Sequence, residues 1–390
     1  MEKEHHEIHY FHLKEIHQMY LTMAIRSLAI STISLFIPLI LLELGRSLVE
    51  VLIYQLFFPL FAYIVFLISG KFISSIGVKH TMMISIPFFI IHYLLIYTID
   101  IISWPIIILS LSAGLASGLF WFAFHIEFSK FTNAKKRGSQ IGLLNSITMG
   151  ISIIGPILGA AIIALFSSKL LLIINIILIS LSIIPLFFSK DSKITLHIKA
   201  KDILYTTTIR QRISFIAEGV RAYSAVIFWP IFLFILSFGY LVVGSVYTIV
   251  RIINTITSML VGKYLDSHDS KKVLKSGTII DAISLGLRAF IPLSAITVTS
   301  ITSLGGVGFT VLHNAYSKLW YEKAHKQGAA FILSRELYLE IGRMSIVFFA
   351  LVLFISLQYF AMPFKESVYI MSASVFVLGG ISAIVMNVID

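Results

Sequence analysis

The sequence predicts an all-α integral membrane protein, with twelve transmembrane helices in two pseudo-symmetric six-helix bundles. Three observations carry this. Hydrophobic residues make up 58% of the 390 residues and charged residues only 13%, too few to coat a water-facing surface of that size. The apolar residues fall into long runs rather than alternating ones, which suits membrane helices and not barrel strands. The two halves of the chain repeat one another at a nearly constant spacing.

A helix rises 1.5 Å per residue, so crossing about 30 Å of hydrocarbon takes about 20 apolar residues. Twelve segments qualify: 17–42, 50–69, 80–99, 102–126, 139–166, 169–188, 213–237, 241–261, 275–297, 299–317, 330–357 and 364–388. The first sixteen residues form a charged, His-rich tail without the pattern of a cleavable signal, so the first span is expected to serve as an uncleaved anchor. The longest polar stretch, 189–212, separates an N-terminal bundle (17–188) from a C-terminal one (213–390).

The net charge of +11 does not point to nucleic acid once the basic residues are placed. With the N-terminus inside, the outer loops hold only Arg46, Lys169 and Lys365. All the remaining loop Lys and Arg fall on the inner side. The positive-inside rule then puts both termini in the cytoplasm of a cell-membrane protein. There is no cysteine, hence no disulfide framework or thiolate metal site.

The repeat is legible in matched residues. A shift of 192 aligns Pro38 with Pro230, and Gly70-Lys71-Phe72 with Gly262-Lys263-Tyr264. A shift of 188 aligns His125, Phe128 and Lys130 with His313, Tyr316 and Lys318. Six helices per half give parallel repeats, related by an axis along the membrane normal.

Two motifs give the chain a family resemblance. Between the second and third spans lies Gly70-Lys71-Phe-Ile-Ser74-Ser-Ile-Gly77-Val-Lys79-His80; between the eighth and ninth lies Gly262-Lys-Tyr-Leu-Asp266-Ser-His-Asp269-Ser-Lys271-Lys272. The chain resembles the major facilitator superfamily of secondary transporters, whose signature places glycine, an acid and a basic pair in this loop. The second copy keeps the acid, Asp266; the first has Ser74 instead, and its inner-gate latch is expected to be weaker. The fifth span carries Gly150-x4-Gly155-Pro156-x2-Gly159, which is similar to the family's antiporter and exporter motif. Small residues there permit close helix contact and Pro156 a kink. The fourth span has no arginine where the antiporters' proton relay would place one.

The resemblance implies the fold, alternating access, a central site near the bilayer midplane, no cofactor and no enzymatic activity. It also implies that spans 1, 2, 4, 5, 7, 8, 10 and 11 line the cavity. Ionisable residues inside spans are costly and mark pathways. Arg26, Glu218, Arg221, Arg251, Glu340 and Arg343 are therefore the candidates for a substrate and proton pathway, while Asp281 and Arg288, on the ninth span, read as structural. Glu218 and Arg221, like Glu340 and Arg343, stand three apart and are placed to pair on one helix face. The competing reading is a set of structural ion pairs. The excess of arginines over acids hints at an anionic solute.

The tail histidines His5, His9 and His12 share a helical face, but the plainer reading is an amphipathic interfacial tail, and no metal site is assigned. Gly305-Gly306-x-Gly308 lies in a membrane span, not after a strand, so it is no dinucleotide loop; no Walker sequence is present. No catalytic cluster is visible. The expectation is a monomeric, lipid-embedded carrier of a small solute, coupled to protons and slightly favouring efflux. The alternative is a proton-coupled symporter importing a small organic anion.

Overall fold

The computed structural model describes residues 2–131, 147–188, 191, 200–290 and 294–389, and their side chains except at 2–16, 128–131, 200, 266, 325 and 329. Among these residues the regular structure is helical, and twelve membrane helices are numbered here in chain order. α1 runs Glu2–Ile33 and resumes as Ile37–Glu43; α2 is Leu48–Ile76, α3 Val78–Tyr97 and α4 Ile106–Phe131. α5 enters at residue 147 and continues as Gly155–Leu165; α6 is Ser168–Leu181 with Ile184–Phe187. α7 comprises Ile209–Tyr223, a π-helical turn Ser224–Phe228, and Trp229–Ile235. α8 is Tyr240–Ser267, α9 Ser270–Arg288, α10 Ala295–Gln327, α11 Ala329–Tyr359 and α12 Phe364–Val385.

Eleven of these helices are long and apolar enough to cross a membrane by length and composition. The remaining one, α9, carries Lys271, Lys272, Lys275, Asp281 and Arg288 within 19 residues. Its apolar stretch is interrupted, yet Leu274, Asp281, Leu285 and Arg288 are buried. Its neighbours α10 and α12 supply the burial.

The repeat extends to the punctuation of the helices. The second segment of α1, Ile37–Glu43, and the last segment of α7, Trp229–Ile235, are both seven residues long, start 192 apart, and carry proline at the first turn. Proline suits that position because its missing N–H has no intrahelical partner there. α2 and α8 start at Leu48 and Tyr240, α3 and α9 at Val78 and Ser270, again 192 apart. Even the corners match: Gly45 and Ser237 both hold positive φ, at 84° and 70°.

Contacts divide the chain into two compact units. One contains Met1–Ser34 and Phe61–His197, the other Leu35–Leu60 and Ile198–Asp390. The boundaries expected at 188 and 213 follow chain order, whereas the contact grouping also takes Leu35–Leu60 out of the first half. Within the second unit, Tyr240 donates to Glu43 Oε2 at 2.7 Å and meets the Phe36 ring edge-on at 5.8 Å.

Small residues set the closest crossings. A Cβ at Gly155 would lie 2.1 Å from Ser31 Oγ, so α5 presses directly on α1. Residues 153 and 154 leave the helix just before Pro156, giving the expected break. At the α7–α11 crossing, a Cβ on Gly219 would sit 2.1 Å from Leu339 O, and one on Gly342 2.0 Å from Ile216 O. Reciprocal glycines bring two backbones together, as membrane interfaces require when no hydrophobic effect drives association.

Candidate substrate and proton pathway

The α7–α11 crossing positions the charged side chains of the second unit. Glu218 precedes Gly219 on α7, and the side chain it meets is not Arg221 but Arg335 of α11, whose Nη2 donates to Glu218 Oε1 at 2.5 Å. Arg335 Nη1 donates to Glu336 Oε1 at 2.6 Å. The guanidinium also lies 4.3 Å from the Trp320 ring and 6.0 Å from that of Phe215. Two turns along α11, Arg343 donates to Glu340 Oε1 at 2.6 Å, and this expected i,i+3 pair forms. Glu218 Oε2 and Glu340 Oε2 are both buried with no hydrogen-bond donor among the described residues.

Arg221 turns instead to α9. Its Nε and Nη2 bind the two oxygens of Asp281 at 2.6 and 2.7 Å, with 5% and 1% of the side chains exposed. The expected Glu218–Arg221 pair is thus absent, because a neighbouring helix offers each residue a better-aligned partner than its own helix does. The bidentate geometry is the strong form of this interaction. Glycines of α10 permit it: a Cβ on Gly308 would lie 2.5 Å from Asp281 N. Arg288 stacks on Trp229 at 4.9 Å, with Nε and Nη1 lacking acceptors. Arg251, on α8, has an exposed side chain.

In the first unit, Arg26 is 2% exposed and lies among the rings of Phe89, Phe120 and Trp121. Among polar and aromatic residues of the spans, Tyr20, Tyr54, Gln55 and Asn254 are buried and Tyr247 partly so. Tyr247 donates to Ala225 O in the π turn at 3.4 Å. Asn145 lies outside the described residues.

The gate loops differ from expectation at several points. Lys79, in the first of them, is 1% exposed, and its Nζ lies 3.7 Å from Glu127 of α4. An ammonium buried in a bundle needs a counter-ion, and Glu127, fully buried, supplies one. In the first copy the residue at the start of α3 is Gly77, and an acid from elsewhere in the sequence supplies the cap. Asp191 accepts from Lys79 N and His80 N at the start of α3. Gly77 has φ 99°, and a Cβ there would fall 2.2 Å from Asp191 Oδ2. Only glycine combines that backbone with that approach. In the second copy, Asp269 caps α9 by accepting from Lys271 N at 2.9 Å. Lys71, Lys271 and Lys272 are exposed, and the Asp266 side chain lies outside the described residues. Gly262 and Gly150 meet no neighbour within 4 Å among the described residues. Gly70 is partly exposed and Gly159 buried.

Glu127 and Asp191 escaped the sequence reading. Glu127 has a signal in hindsight, an acid at the end of an otherwise apolar span. Asp191 has none, since its carboxylate looks like any loop charge.

The fold and its family are those of a transporter, not of an enzyme. The chain belongs to the Major Facilitator Superfamily, whose family model matches residues 19–343. No curated protein sequence matches it. Among solved structures, it resembles a proton-dependent oligopeptide transporter (11% identity, TM-score 0.69, 97% of each chain covered). It also resembles a D-xylose-proton symporter (12% identity, TM-score 0.70, covering 96% of this chain and 97% of that one). A nucleoside transporter is similar at 12% identity and TM-score 0.67, covering 96% and 98%. At these identities the likeness establishes the fold.

Proposed function

We propose that this multi-pass membrane protein is a proton-coupled carrier that moves a small solute by alternating access, as a monomer in the cell membrane with both termini cytoplasmic. Glu218 and Glu340 are the proton-accepting groups. The observation that carries this is their half-satisfied state. Each glutamate gives one oxygen to an arginine and leaves Oε2 buried without a donor. A buried acceptor without a donor is costly, and a proton taken up there relieves the cost. Two of the similar structures are of proton-coupled transporters, which supports the coupling. Efflux is the preferred direction, on the strength of the Gly155-Pro156-Gly159 segment packed against α1.

A second reading, proton-coupled import of a small organic anion, is favoured by Arg26, which has no acidic partner among the described residues.

The test uses proteoliposomes loaded with a pH-reporting dye and a panel of organic anions, cations and sugars. At least one solute class should move protons, and Glu340→Gln should abolish that movement while leaving solute counterflow intact. Glu218→Gln should weaken it. Proton movement unchanged in both variants, or solute flux indifferent to the pH gradient in the parent protein, rejects the coupling.

A further inference from the structure

Arg26 differs from the paired arginines of the chain. Arg221 has Asp281, Arg335 has Glu218 and Glu336, and Arg343 has Glu340. Arg26 has no such acid among the described residues, and its Nε and Nη1 are buried with no acceptor. Phe120 covers the guanidinium at 3.5 Å, Phe89 lies at 4.5 Å and Trp121 at 6.0 Å. One turn back on α1, Thr22 is 1% exposed and its hydroxyl has no partner either. Residues four apart on a helix share a face. One face of α1 therefore carries a full cation and a hydroxyl, both unsatisfied and both withdrawn from solvent.

Rings against a guanidinium supply cation–π attraction across its faces. They cannot accept from the N–H groups at its edges. Those groups match an oxyanion, whose two oxygens can take two parallel hydrogen bonds. Arg288 shares the unsatisfied nitrogens but has Asp281 two turns back on its own helix and no orphan hydroxyl beside it.

We propose that Arg26 and Thr22 form an oxyanion subsite for the carboxylate of a monoanionic organic acid, with Phe89, Phe120 and Trp121 holding its apolar part. The proposal rests on the carrier reading above and names its solute class. A single charge on the ligand matches a single uncompensated cation. A phosphate dianion would leave an excess negative charge in the bundle, and inorganic phosphate has nothing to place against three rings. Trp121 is itself exposed, so the aromatic wall reaches the surface of its unit.

The test is thermal melting of the purified full-length protein at constant ionic strength, with acetate, benzoate, benzamide and inorganic phosphate as probes. A ligand that binds the folded state raises Tm by mass action. Benzoate should raise it most, acetate less, and benzamide not at all. Arg26→Met should raise the ligand-free Tm, because an uncompensated buried charge is removed, and should lose the benzoate response. Arg26→Lys, which keeps the charge, and Thr22→Val should each weaken benzoate several-fold. No carboxylate response in the parent protein overturns the proposal, as does an equal response in Arg26→Met. A ligand-free Tm lowered by Arg26→Met assigns the residue to structure and overturns it too. Phosphate outperforming benzoate overturns the carboxylate assignment. The liposome assay is scored separately. Benzoate binding that depends on Arg26, without any solute-driven proton movement, sinks the carrier reading alone. Proton movement with a benzoate response indifferent to Arg26 sinks the subsite alone.

Discussion

Asp191 accepts hydrogen bonds from the backbone N–H of Lys79 at 2.9 Å and of His80 at 3.2 Å, and its carboxylate also meets the His80 ring. An acid distant in sequence thereby caps α3 where the motif itself offers only Gly77. The carboxylate satisfies orphan N–H groups and faces the positive end of the helix dipole. Asp191→Ala should cost about 1 kcal/mol, within the usual range for a lost cap, read as a fall in Tm of a few degrees. Asp191→Asn should recover part of it. Melting curves that coincide with the parent would show that the contact is incidental.

Arg221 and Asp281 form a bidentate pair with almost no solvent contact. Removing one partner strands a buried charge, at about 3–5 kcal/mol, while apolar replacement of both is often tolerated. Asp281→Asn is therefore expected to unfold far more readily than the parent, and Arg221→Met/Asp281→Leu to recover most of the loss. A double variant as unstable as the sum of the singles would contradict this account.

The reciprocal glycines of α7 and α11 leave no room for a methyl group. Gly342→Ala should cost at least the ~1–3 kcal/mol typical of overpacking, since the obstructing atoms are backbone. It should also displace Glu218 from Arg335, so proton coupling should suffer along with stability. Normal melting and normal coupling in Gly342→Ala would show that the helices are further apart than described.

Arg343 neutralises Glu340 from one side. Arg343→Ala should leave that carboxylate without its cation, and the pH profile of transport should change with it. A pH profile superimposable on the parent's would remove Glu340 from the pathway.

Between α3 and α4, Asp100 accepts from Lys169 at 2.7 Å, and the ammonium holds its carboxyl below the usual carboxylate range. A depressed folded-state value gives stability that is present above the unfolded pKa, about 3.9, and fades as pH falls through the folded one. The pair is exposed, so its effect is small. Asp100→Asn should melt slightly below the parent at pH 7, and the gap should close in acid. A gap independent of pH would mean that the charge is not responsible.

The fold was legible because a bilayer leaves the backbone few choices. Long apolar runs must be helices, and matched residues such as Pro38 and Pro230 show the duplication. The charged network was legible only as a set of residues. Intrahelical spacing correctly joined Glu340 to Arg343, but it misjoined Glu218 to Arg221, since side chains in a bundle answer to neighbouring helices as well as to their own. Lys79 meets a related limit. A lysine at a helix start looks solvated until a distant acid, Glu127, is found beside it. Asp191 illustrates the harder limit, since a capping role that spans more than a hundred residues leaves no local trace.

The paired corners at Gly45 and Ser237, together with the proline-led segments that precede them, bear on the history of the molecule. Two copies that had merely converged on six membrane spans would have no reason to break the same helix at the same residue and then turn through the same rare backbone conformation. Both features support duplication of one six-helix unit, and Ser237→Gly would place at the second corner the residue that a positive φ favours.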